Sequence, residues 1–179
     1  MFKISAIVVA IAVFVFVVVV LILASAKPDT FRVQRQVAIK APPEKIFPLL
    51  NDYRNWGAWS PYENKDPTMK RSYSGPASGK GAVYAWEGDG AVGVGRMEIT
   101  ESSPPSQVQI KLDFSKPFEA HNRVEFTIRP QGDASTVTWD MQGPAPLISR
   151  VMQVFFSMDK MVGQDFEAGL ANLKTAAEK

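Results

Sequence analysis

The chain has 179 residues, 46% hydrophobic and 21% charged, with 20 Lys+Arg against 18 Asp+Glu, one histidine and no cysteine. The missing cysteine excludes thiol catalysis, Fe–S clusters and Cys-ligated zinc, and the near-balanced charge gives no broad attraction to nucleic acid or other acidic polymers. Most of the hydrophobic excess sits at the N-terminus, so the two ends of the chain read as different classes of structure.

Residues Ile4 to Ala24 run for 21 positions without a charge, Gly or Pro. At ~1.5 Å per residue such a helix crosses a ~30 Å hydrocarbon layer, which predicts an N-terminal transmembrane anchor over residues 1–26. Lys3 and Ala24-Ser25-Ala26 also fit a cleaved signal peptide, but the apolar run exceeds the usual h-region of ~7–15 residues. Lys27, Arg32, Arg35 and Lys40 after the span favour a cytoplasmic domain by simple Lys/Arg count. A very short basic tail before a long apolar run instead behaves as a signal anchor, which predicts a single-pass protein with an extracytoplasmic domain.

Residues 27–30 form a short linker, and one water-soluble domain is expected over 31–179. Phe31, Val33, Val37 and Ile39 alternate as a half-buried strand. Pro42-Pro43-Glu44 then opens a short helix over about 42–51, in spite of Pro48, and Asn51 to Pro61 reads as a further helical turn and loop. From Met69 to Met141 period-2 segments recur between Gly, Pro, Ser and Asp, the cleanest being Val108, Ile110, Leu112 and Phe114. Six such segments and the first strand predict a seven-stranded antiparallel sheet. After Gly143-Pro144-Ala145-Pro146 the period becomes helical. Ile148, Val151, Met152, Phe155, Met158, Val162, Phe166, Leu170 and Leu173 share a stripe, which predicts one long C-terminal helix covering the sheet.

That order, with NDYRNWGAWSPYE (51–63), GAVYAWEGDGAVGVGRMEITE (81–101) and MDKMVGQDFEAGLANLK (158–174), resembles the polyketide cyclase/dehydrase and lipid-transport group of the START-like (SRPBCC, Bet v 1-like) superfamily. The resemblance covers about residues 31–177; its most specific pieces are the Ala-Pro-Pro-Glu-Lys-Ile-Phe segment and the Trp-Ser-Pro that follows. Many bacterial members look like this one, with a single N-terminal span. The resemblance implies an α+β helix-grip fold: a curved antiparallel sheet wraps the C-terminal helix, two short helices follow the first strand, and a cavity for apolar molecules lies between sheet and helix.

The expected inward register is rich in large side chains. Tyr84, Trp86, Met97, Ile110, Leu112, Phe114, Phe126 and Trp139 come from the sheet, and Met152, Phe155, Met158, Met161 and Val162 from the helix. Aromatics with thioethers make an adaptable apolar lining, and equally a filled core. Asn122 and Arg35 interrupt apolar strand faces; each either orients a ligand or reaches a structural partner. Tyr53, Trp56, Trp59 and Tyr62 form an aromatic loop that is either a cavity mouth touching headgroups or a plug closing one end of the core. Gly88, Gly90, Gly93 and Gly95 mark expected bends in the sheet.

Other chemistry is set aside on local grounds. Gly88-Asp89-Gly90-Ala91-Val92-Gly93 matches G-x-G-x-x-G by letter but joins two strands, so no helix N-terminus holds a pyrophosphate. His121 has no second histidine or cysteine for a metal site, and its register places it on the wet face. No G-x-S-x-G elbow occurs. Glu87, Glu98 and Asp140 oppose apolar neighbours in register, and Asp159, Lys160 and Asp165 lie off the helix stripe, so all six are expected in solvent. No cofactor, metal or catalytic set is predicted.

The leading expectation is a membrane-anchored module binding a hydrophobic or lipid-like small molecule. The alternatives are a cyclase- or dehydratase-type enzyme on an apolar substrate, which requires an inward acid or base with a shifted pKa, and a ligand-free partner-interaction domain, which requires a filled core.

Overall fold

The computed structural model describes residues 2–90 and 92–179, with side chains from residue 7 onward. Helix α1 (Phe2–Ser25) is followed by strand β1 (Thr30–Ile39), helix α2 (Pro43–Asn51), a 3-10 helix (Tyr53–Ala58) and the single turn α3 (Tyr62–Lys65). Strands β2 (Lys70–Ser74), β3 (Val83–Glu87), β4 (Val94–Ser103), β5 (Gln107–Lys116), β6 (Ala120–Gln131) and β7 (Ala134–Pro144) come next. Helices α4 (Leu147–Phe155) and α5 (Met158–Ala177) end the chain.

The seven strands form one antiparallel sheet in the order β1-β7-β6-β5-β4-β3-β2, so the first and last strands of the chain are neighbours and every other neighbour is a hairpin. The alternation read from sequence is the burial pattern observed: on β7, Ser135, Val137, Trp139 and Met141 are buried and their neighbours half-exposed or exposed. Register shifts in the β4–β5 pair fall at Val94/Gly95 and Ile99/Glu101, where the sheet bends. Gly95 is required there, because a Cβ would meet the Trp86 ring at 2.5 Å and the Asp113 carbonyl at 2.7 Å. Together with α2, the 3-10 helix and α5 over its concave face, this open curved sheet is the helix-grip architecture expected from the sequence.

Two helices replace the single C-terminal helix that was expected. Phe156 is extended (φ −128°, ψ 140°), and the Ser157 hydroxyl accepts from the Lys160 amide to cap α5. A serine cap beats continuation of the apolar stripe because it satisfies an N–H left orphaned at the helix start, and Asp159 in the first turn complements the dipole. The break changes what the two halves touch. Helix α5 packs chiefly on β1, whereas α4 packs on α1.

Arg35 fixes α5 to β1. Its guanidinium donates to Asp159 at 2.9 Å and Glu167 at 2.7 Å, and lies over Gly163, where a side chain would displace it. Of the two readings open for Arg35, the structural partner is the one present.

Candidate functional site

The concave face divides into a filled centre and a looser end. At the centre, Trp59, Phe126 and Phe166 are fully buried, and the Trp139 and Phe166 rings stack at 3.9 Å with 9° between their planes. Phe126 meets Trp56 and Trp59 edge-on at 6.0 and 5.9 Å and Trp139 at 5.0 Å. Gly169 allows α5 this close, since a Cβ would meet Trp139 Cζ3 at 2.8 Å. The aromatic loop is therefore a plug. Trp56 and Trp59 are buried, and their indole N–H groups donate to the Leu50 and Leu49 carbonyls at 3.1 and 2.9 Å.

Of the residues picked from sequence, Tyr84, Trp86, Met97, Ile110, Leu112, Phe126 and Trp139 are all buried on the concave face. Phe114, Asn122, Met158 and Val162 are half-buried. Phe114 and Asn122, with the half-buried Phe31, belong to the end of the sheet where β6 starts and β7 finishes, while Met158 and Val162 lie on α5. Met152 and Phe155 are not brought to them. Both are about half exposed on α4, and Phe155 faces Phe16 of α1 at 6.4 Å; Met161, on the outer side of α5, is exposed as well. The helical period holds there, but the break at Phe156–Ser157 rotates α4 off the sheet.

Polar groups on this apolar surface are few. Asn122 lies opposite Leu112, with its carboxamide against Gly143, and its Oδ1 is buried without a hydrogen-bond partner among the described residues. Trp139 Nε1 and Tyr53 Oη are also buried without partners. Tyr84 differs: its hydroxyl donates to Glu63 at 2.7 Å, and the same carboxylate accepts from Arg71 at 2.7 Å. Burial and then the Glu63 contact push the Tyr84 hydroxyl far above the usual phenol range, and burial does the same to Tyr53. Both remain protonated donors at physiological pH and are poor bases. Glu63 was missed in the sequence because only the turn α3, too short to carry a period, turns it toward β3.

On the outer surface His121 pairs with Asp113 at 2.7 Å and Glu119 at 3.2 Å, chiefly the Asp113 bond raising its pKa above the ordinary value. Glu87 is exposed, and Glu98 and Asp140 are half-exposed opposite the apolar register. Asp140 pairs with Arg32 at 2.6 Å and Asp165 with Lys65 at 2.6 Å. The Gly-rich segment is the β3–β4 connection, closed by Gly88 N–H to Gly93 O and by Asp66 accepting from the Asp89 amide; its Ala91 lies outside the described residues. Among the described residues no cluster of His, Cys, Asp or Glu is arranged to hold a metal ion.

Open clefts flank the concave face. One of ≈ 390 Å³ runs between β1 and α5 beside Arg35, Glu167 and Lys174. The other, of ≈ 480 Å³, lies at the looser end between Gly95, Phe114 and His121.

The family described as polyketide cyclase/dehydrase and lipid transport matches residues 30–178. No functionally curated protein sequence matches the chain. Among solved structures, a Chromobacterium violaceum protein is 14% identical over 86% of this chain and 99% of its own, with a TM-score of 0.60. The Aha1 dimer of Colwellia psychrerythraea is 18% identical over 83% of this chain and 96% of its own (TM-score 0.56). The di-domain aromatase/cyclase BexL from the BE-7585A biosynthetic pathway is 14% identical over 88% of this chain and 53% of its own (TM-score 0.61). At these identities the likeness is one of fold.

Proposed function

Because the chain belongs to the polyketide cyclase/dehydrase and lipid transport family, we propose that it is a membrane-tethered module that holds a hydrophobic, lipid-like small molecule at the looser end of the concave face. The observation that carries this reading is Asn122. Its buried Oδ1 has no partner on a wall otherwise formed by Leu112, Phe114 and Met141, and apolar pockets orient their ligands with a few such groups. Helix α1, with the length and apolarity of an anchor or a signal sequence, is read here as an anchor that keeps the module beside its source of ligand.

The tryptophans are built-in reporters, since all four, Trp56, Trp59, Trp86 and Trp139, are buried on or against the concave face. Full-length protein in amphipol is titrated with a bromo-stearic acid, whose bromine quenches indole on contact. Saturable, stoichiometric quenching that weakens in Asn122→Ala supports the reading. Quenching no greater than that of free N-acetyl-tryptophanamide overturns it and selects the ligand-free interaction domain, the reading favoured by the filled centre.

A further inference from the structure

We propose that α4 and the β5–β6 hairpin tip form a second membrane contact, docking the looser end of the sheet onto the lipid bilayer beside α1. Helix α4 buries none of its residues, and Ile148, Met152, Phe155 and the following Phe156 are all about half exposed or more. Within α4 the single charged residue is Arg150. Its Nε is screened from water without a hydrogen-bond partner, and among the described residues its guanidinium joins no ion pair. A helix with an uncovered apolar face that packs along a membrane-spanning helix is one that acyl chains cover, with its unpaired cation reaching along the helix toward lipid phosphate.

Continuity with α1 identifies the occupant. Phe155 faces Phe16, inside the stretch of α1 that is long and apolar enough to cross a membrane, and the Ala145 amide donates to Asp29 at the foot of that helix. A lipid layer surrounding α1 therefore also meets the outer face of α4.

The sheet supplies an independent observation. Thr30 pairs with Pro144, Arg123 with Gln142 and Phe114 with Ala120, so the start of β1, the end of β7 and the β5–β6 turn lie at one end of the sheet. That turn carries Phe118, 64% exposed. The α4–α5 junction and the hairpin thus present apolar side chains at the end from which α1 departs, and Phe114 and Asn122 sit just inside it. The membrane contact rests on α1 being an anchor and is independent of whether a ligand is held.

The cysteine-free chain allows a direct test by single-cysteine labelling with an NBD fluorophore in the full-length protein, reconstituted into vesicles of phosphatidylcholine with phosphatidylglycerol. Labels at Phe118, Phe155 and Phe156 are compared with Val13 in α1 and with Asp133, exposed in the β6–β7 turn at the opposite end. The expected result is quenching of 118, 155 and 156 by nitroxide-bearing lipid, together with an iodide quenching constant several-fold below that at 133. Iodide reaching 118, 155 and 156 as it reaches 133, with 13 still quenched by nitroxide lipid, overturns the contact while leaving the anchor intact. Failure of nitroxide lipid to reach 13 overturns the anchor itself. Shielding of 118, 155 and 156 from both quenchers also overturns the proposal, in favour of a second copy or another protein on this face. Phe118, at a hairpin tip, keeps the test decisive if an α4 substitution disturbs packing.

Discussion

Replacing Phe126 by Ala tests whether the centre of the concave face is filled. The Phe126 side chain is fully buried and three indoles surround it with ring centroids at 5.0 to 6.0 Å. Removing a buried aromatic ring costs ~3–5 kcal/mol through lost transfer energy and the cavity left behind, and the lost ring pairs push this site toward the upper end. For a domain of this size ~1 kcal/mol moves the midpoint by ~2–4 °C, so a fall of about 12 °C is expected. Thermal unfolding of the full chain in mild detergent is followed by near-UV circular dichroism, because α1 stays helical in detergent and masks the far-UV signal. Phe114→Ala, which removes a half-buried ring with the single partner Trp86 at 5.5 Å, is expected to lower the midpoint by only about 4 °C, from ~1–2 kcal/mol. A Phe126→Ala shift below about 3 °C would refute the reasoning, since it would mean that the ring already borders empty space.

Three further outcomes are expected. Gly95→Ala forces its methyl against the Trp86 ring and the Asp113 backbone and costs ~1–3 kcal/mol, read from the same melting curves; a neutral result contradicts the close approach. The His121 pKa, raised chiefly by its bond to Asp113, lies above 6.5 in the folded protein; NMR titration shows this, and Asp113→Asn lowers it. Protonated His121 therefore stabilises the fold fully below the unfolded value of 6.5, and that contribution is lost as pH rises through the folded value. Asp159 behaves oppositely: Arg35 holds its pKa below 3.8, so its contribution is present above 3.8 and is lost as pH falls through the folded value. Hydrogen exchange at the start of α5 is expected to quicken in acid below that point in the native chain, and Arg35→Gln is expected to quicken it already at neutral pH.

The fold was legible because its signals are local and periodic. Alternation along β5 and β7 shows which faces are inward, and the strands follow it from Val108 to Leu112 and from Ser135 to Met141. The aromatic loop at 53–62 was legible in composition but ambiguous in role, because whether Trp59 faces lipid or core depends on the approach of α5, which Gly169 permits. The C-terminal break was missed because the apolar stripe continues through it. Ser157 with Asp159 is the available signal, and a stripe alone does not say that its four α4 residues leave the sheet while its five α5 residues stay with it. The stripe alone therefore puts Met152 and Phe155 on the concave face, from which the break removes them. Glu63 left no trace in any period and emerges only when α3 meets β2 and β3.

The central claim is that the looser end of the concave face holds an apolar molecule, and native mass spectrometry of the full chain purified in mild detergent tests it most directly. The account predicts one apolar adduct per chain, retained when annular lipids are stripped and lost in Leu112→Arg, which places a charge beside Asn122. A bare chain mass for the folded native protein, unchanged after incubation with bromo-stearic acid, would contradict it.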